Sequence, residues 1–301
     1  MVVENGFSGS RTGPVHRRGA AWIRVAVLLT LFVVIDGSFA WLNVQAARNP
    51  VTGLVSGVAT AAIALFAYTK VVGRLEQRTA TEVAPRDLVR QAGRGVALGV
   101  GLFSLVMLLI FACGGYHAGW GSAAGVVATL GLMTGIATCE ELLFRGVLFR
   151  VLEERTGTLV AVAVSSAVFG GLHLINPQAT VWGAVALAVE MGVLTAGCFA
   201  LTRSLWLPIG FHLGWNFAQS GIFGTTVSGS TGTAGGLLRG VTSGPTLVSG
   251  GEFGPEASAF AVLIGGLAGC AMLVAARRRG RFVPATPRHG DQASPSIRPL
   301  R

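Results

Sequence analysis

Six polar residues of this 301-residue chain stand inside stretches otherwise apolar enough to lie in lipid: Glu140, Glu141, Arg145, His173, His212 and Asn216. An ionisable group in the hydrocarbon costs about 2.5–3.5 kcal/mol on insertion scales, so each counts as a functional-site hypothesis. On a helix, Glu141 and Arg145 are four apart and face each other, and an ion pair between them lowers the cost of burying both. Glu140 points about 100° away from Glu141, onto the stripe of Phe144, and has no cation nearby in sequence. A carboxylate held in such an apolar place can act as a general base. His212 and Asn216 share one helix face, as do Phe169 and His173. A base, two imidazoles and an amide together suit hydrolysis of a carbonyl compound: glutamate deprotonates water while His and Asn donors stabilise the oxyanion.

Each group also has a structural reading. A lone His in a membrane helix hydrogen-bonds a neighbour, and a Glu–Arg pair serves as helix glue. The combination, not any one residue, favours chemistry. Glu190 and Asp36 lack such company and read as structural or interfacial.

The elements that must position these groups follow from composition. The chain is 51% hydrophobic and 12% charged, with a mean hydropathy of +0.64, outside the range of soluble domains. At about 20 apolar residues per crossing, the pattern predicts an all-α, polytopic membrane protein with eight spans, near 23–44, 51–72, 95–115, 122–149, 158–176, 179–202, 205–223 and 257–276. A pI near 11 invites a nucleic-acid reading, which the placement of the basic residues excludes. They cluster beside apolar runs, and with the N-terminus inside, 21 of the 23 fall on the inner side, leaving Arg48 and Arg239 outside. The positive-inside rule then places both termini in the cytoplasm of a multi-pass inner-membrane protein whose immediate partner is lipid.

The first span resembles a signal peptide, with Ser38-Phe39-Ala40 as a cleavage-like site; removing it would invert a basic segment, so an uncleaved helix is expected. The organisation is thus a cytoplasmic tail (1–22), an eight-helix membrane domain (23–276), a Gly/Ser/Thr-rich outer loop (224–256) expected to be flexible, and a basic disordered tail (277–301) beside anionic lipid. Cys113, Cys139, Cys198 and Cys270 show no paired spacing, which argues against disulfides and thiolate metal sites and suggests small core residues.

A hairpin turning at Gly157 would place Glu140 and His173 each about 25 Å from the turn. His212 lies only about 12 Å past its own turn near Ser204, so the hairpin must project beyond the membrane to level all three. Asn176-Pro177 follows His173 too closely for straight helices. Non-helical backbone at that depth is tolerated only where protein or water covers it, and a water-filled cavity is expected there.

The order Glu140-Glu141-x-x-x-Arg145, Phe169-x-x-x-His173, His212-x-x-x-Asn216 on three separate helices resembles the three signature motifs of the CPBP family, which includes the type II CAAX prenyl proteases and the bacterial ABI proteins. The resemblance runs from Ser122 to Phe223. It implies an eight-helix fold, peptide-bond hydrolysis in the membrane, and a site of Glu140, Glu141, His173, His212 and Asn216. It also implies a peptide or membrane-protein substrate of the CAAX- or bacteriocin-processing kind. The family is often labelled metalloprotease, and Glu140, His173 and His212 could hold Zn2+ with water in the fourth position. No His-Glu-x-x-His pattern supports this, and a metal-free glutamate mechanism is favoured slightly. Two other readings stay open. A non-catalytic scaffold or immunity protein would keep the motifs as structural hydrogen bonds. A proton-coupled transporter would show matched broken helices in two halves, and none is evident.

Overall fold

The computed structural model describes residues 49–231 and 235–285, together with 26, 30, 34, 37, 38, 42, 45 and 46. Only scattered residues of the expected first span are described, Asp36 not among them, and the N-terminal tail and residues 286–301 lie outside the described residues. Residues 277–285 of the expected disordered tail are described, helical to Arg278 and with Val283 hydrogen-bonded to Thr158.

Helix α1 (Pro50–Leu75) begins where the Asn49 side chain accepts from the Val51 and Thr52 amides, with Pro50 at the first position, a placement that wastes no backbone donor. Two 3-10 turns lead into α2 (Leu88–Ala112). Strand β1 (Tyr116–Trp120) precedes α3, which runs Ala123–Thr156 as a 34-residue helix. Gly157, at φ 83°, ends α3 and starts α4 (Thr158–Leu172), so the expected hairpin turn is where the glycine was. A 3-10 turn at His173–Ile175 closes α4. Helix α5 (Val181–Thr202) is capped by the Thr180 side chain, α6 is Trp206–Asn216, and strand β2 is Leu238–Thr242. Helix α7 (Ala259–Arg278) begins with Ser258 accepting from the Ala261 amide.

Six helices among the described residues are long and apolar enough to cross a membrane. The expected count of eight is therefore not reached there. Of one expected span, 23–44, only scattered residues are described. The other, 205–223, forms as the 11 residues of α6 continued by a 6-residue wider turn at Phe217–Ile222, about 25 Å at 1.5 Å per residue.

Glycines set how closely the helices approach. A Cβ on Gly57 of α1 would stand 1.8 Å from the Gly131 carbonyl oxygen of α3. Gly95 and Gly99 of α2 face Gly210 and Gly214 of α6, where added Cβ atoms would meet backbone oxygens at 2.2–2.4 Å. These are the small-x-x-x-small seams by which membrane helices pack without a hydrophobic driving force. The second seam holds the helix that carries His212 and Asn216.

The all-α class holds with one exception. Strands β1 and β2 pair antiparallel, Tyr116 opposite Thr242 and Trp120 opposite Leu238. The described residues of the stretch from Gly224 to Glu256 carry regular structure and buried side chains. It supplies β2, buries Phe253 and Glu256, and is tied down by Thr129 Oγ1 donating to Gly235 O at 2.6 Å. Of the four cysteines, Cys139 and Cys198 are buried as expected, whereas Cys113 and Cys270 lie exposed on the bundle's outside.

Candidate active site

The three motif helices converge. Arg145 and Glu141 form the expected pair, Arg145 Nη1 donating to Glu141 Oε1 at 3.1 Å with both side chains fully buried. His212 joins them from α6, its Nδ1 lying 2.9 Å from the same Glu141 oxygen. Because Glu141 Oε1 also receives Arg145, it serves as acceptor for both, and His212 Nδ1 carries the hydrogen. That orients the other ring nitrogen, Nε2, toward Glu140, whose Oε2 is 3.8 Å away. The gap is too long for a direct hydrogen bond but is one that a single water can bridge.

Arg145 is secured further by Nη2 donating to Gly192 O at 3.0 Å on α5, and by the Phe169 ring 4.9 Å from its guanidinium carbon. Phe169 also meets Phe144 at 4.9 Å, His173 at 4.9 Å and His212 at 6.0 Å between ring centroids. One aromatic ring thus touches both imidazoles and the buried cation, an arrangement worth about 1–2 kcal/mol for a desolvated cation–π contact. His173 Nδ1 donates to Phe169 O at 2.8 Å; a backbone carbonyl can only accept, so in the neutral ring Nε2 is the acceptor. Asn216, 6% exposed, lies one turn beyond His212. Its amide hydrogen-bonds no other protein group among the described residues, which leaves donors for a bound carbonyl.

Local backbone adapts at this spot. Leu142–Phe149, Ala188–Val193 and Phe217–Ile222 are wide π turns inside otherwise α-helical stretches. Two of them begin one residue after Glu141 and after Asn216, and Gly192, which receives Arg145, sits in the third. Such turns concentrate at functional sites because they re-aim side chains without ending the helix. Nothing in the hydropathy pattern marks them. The extended backbone after His173 is covered by protein: Asn176 Nδ2 donates to Ser228 O at 2.6 Å, and the Gln178 amide to Gly229 O at 3.0 Å. The stretch 224–256 is thus the cover for the break that straight helices left open.

The donor set does not fit a metal. Among the described residues no three His, Cys, Asp or Glu side chains converge closely enough to hold an ion, so Glu140, His173 and His212 do not form the three-ligand cluster that zinc requires.

Glu190 is also fully buried, with neither carboxylate oxygen hydrogen-bonded. A second polar group surrounds Glu256, to whose Oε1 Ser228 Oγ donates at 2.5 Å. Burial pushes the Glu256 carboxyl up to about 7, against the pull of the Ser228 and Gln219 hydrogen bonds. Sequence reading missed Glu256 because it stands in a glycine-rich stretch.

Residues 120–218 match the family model described as "Rce1-like: Type II CAAX prenyl endopeptidase Rce1-like". A Bacillus subtilis (strain 168) protein named "Putative membrane peptidase YdiL" is 34% identical over 77 residues, 26% of this chain and 29% of that relative. The chain therefore aligns with less than a third of the relative's length. No solved structure matches. The match to the type II CAAX endopeptidase model spans the segment that carries all three motifs, and the six long apolar helices among the described residues mark a membrane protein.

Proposed function

We propose that this chain is an intramembrane endopeptidase of the CAAX-processing or bacteriocin-processing type, with Glu140 as the general base and no metal. The observation that carries the reading is the 3.8 Å gap between Glu140 Oε2 and His212 Nε2, set by the Glu141 anchor on the other side of the imidazole. A water in that gap gives its proton to Glu140, and its oxygen attacks the scissile carbonyl carbon. The carbonyl π electrons move to oxygen, and the oxyanion accepts hydrogen bonds from the Asn216 amide and from His212 Nε2. Since Nδ1 already donates to Glu141, donation from Nε2 requires the imidazolium, which Glu140 and Glu141 bracket on both sides. Collapse of the tetrahedral adduct breaks the C–N bond, and Glu140 returns the proton to the leaving amine. His173, with Nε2 as acceptor, orients the water. Glu141 and Arg145 position the imidazole.

The substrate in this reading is a peptide or a membrane protein. The basic residues favour an inner-membrane location with both termini cytoplasmic. The glutamate route is tested with a quenched-fluorescence peptide library, prenylated members included, and the detergent-purified protein. Glu140→Gln should abolish cleavage while the protein stays folded, and a zinc chelator should leave the wild type active. Cleavage by Glu140→Gln would remove the general base. Loss to the chelator would return the metal route. No cleavage by the folded wild type over the whole library would favour the scaffold.

A further inference from the structure

We infer that the basic cavity at the C-terminal end of α1 is a binding site for the headgroup of an anionic phospholipid. The cavity has a volume of about 800 Å³ and is lined by Lys70, Arg74, Arg78 and Arg86, with the hydroxyls of Thr79 and Thr81 in its wall. That size suits a small polar ligand, and it is far too small for a nucleic-acid duplex.

The four cations are not equivalent. Arg78 is met by Glu76 at 2.6 Å and Glu82 at 2.7 Å, so its charge is already balanced. Arg86 approaches Asp87 only at 3.6 Å, with its own side chain 85% exposed. Lys70 and Arg74 have no acidic partner among the described residues, and the nearest aromatic contact of Lys70 is the Phe66 ring at 5.3 Å. Two exposed cations beside hydroxyl donors make a cradle for one phosphate.

Depth argues for a lipid as the source of that phosphate. Lys70 is 20 residues past Pro50, about 30 Å along the helix, which is one hydrocarbon thickness. If the start of α1 marks one membrane surface, Lys70 and Arg74 stand at the headgroup level of the other. On the same side of the helix, Val55, Ile63 and Phe66 are 60%, 50% and 63% exposed, an apolar track that leads acyl chains up to the cations. A soluble anion would have no use for that track.

The test uses the full-length protein in mild detergent, titrated with phosphatidylglycerol or phosphatidylcholine and read by native mass spectrometry. Wild type should retain phosphatidylglycerol at least about tenfold better, and Lys70→Gln/Arg74→Gln should bring it down to the phosphatidylcholine level, as expected when two interfacial cations are removed. A charge-matched control, Arg277→Gln/Arg278→Gln, should keep the preference, and millimolar inorganic phosphate should not displace the lipid. Thermal unfolding of each variant checks that it is folded. Equal retention of both lipids by wild type would overturn the inference. So would a preference that survives Lys70→Gln/Arg74→Gln, or one that falls equally in the control. Displacement by inorganic phosphate would assign the cavity to a soluble anion instead.

Discussion

Replacing Glu141 with Leu removes the acceptor shared by Arg145 and His212 while keeping much of its volume. Both members of the ion pair are fully buried, and breaking such a pair from one side costs about 3–5 kcal/mol because the remaining charge is left without compensation. Arg145 would keep the Gly192 carbonyl at 3.0 Å and the Phe169 ring at 4.9 Å, so the loss should fall toward the lower bound. A cost of about 3 kcal/mol lowers the folded-to-unfolded ratio by more than about a hundredfold. The double variant Glu141→Leu/Arg145→Met deletes both charges, and apolar replacement of a buried pair is close to neutral. It should recover most of the stability yet stay inactive, because His212 has lost the anchor that aims Nε2 at Glu140. The assay is unfolding by sodium dodecyl sulfate in mixed micelles, read by tryptophan fluorescence, beside peptide cleavage. Wild-type stability in Glu141→Leu, or no recovery in the double variant, would refute the argument.

Asn216→Ala should lower kcat by about 10²–10³, as removal of an oxyanion donor does, with KM little changed; a KM effect alone would make Asn216 a binding residue. Gly99→Val would drive a side chain into the Phe211 carbonyl, 2.3 Å from a Cβ at that position, and should cost about 1–3 kcal/mol together with activity, since α6 carries His212. Unchanged unfolding in that variant would mean that the seam is looser than it looks. Glu256, with its carboxyl pushed up to about 7 by burial, binds its proton more tightly folded than unfolded. Its contribution is therefore full below about pH 4.5 and is lost as pH rises to about 7, a difference on the order of 3 kcal/mol. Glu256→Gln should flatten that slope between pH 5 and 8, and parallel profiles would show that another group titrates.

Much of the site was legible because helix periodicity is local. Four-residue spacing alone brings Arg145 to Glu141 and puts Asn216 beyond His212, and Gly157 reads as a turn because positive φ is cheap only without a Cβ. The helices were visible for the same reason, since an apolar run of some 20 residues has few other homes. Hydropathy does not report where a helix widens into a π turn, as α3, α5 and the end of α6 do.

Other features depend on partners far apart in sequence, which no local pattern encodes. Glu141 was readable as the partner of Arg145, but that it also anchors His212, 71 residues away, follows from the α2–α6 glycine seam and the packing of α3 against α6. The Gly192 carbonyl is a backbone group with no side-chain signature. The stretch 224–256 has the composition of a flexible loop, yet among its described residues β2 pairs with β1, the Gly235 carbonyl accepts from Thr129 of α3, and the Ser228 and Gly229 carbonyls accept from Asn176 and Gln178 beside the break after His173. Residue types and spacing determined which groups had to be buried together. Only the close approach of backbones at glycine decided which of them touch, because in lipid the packing of surfaces, not the burial of apolar area, selects the helix neighbours.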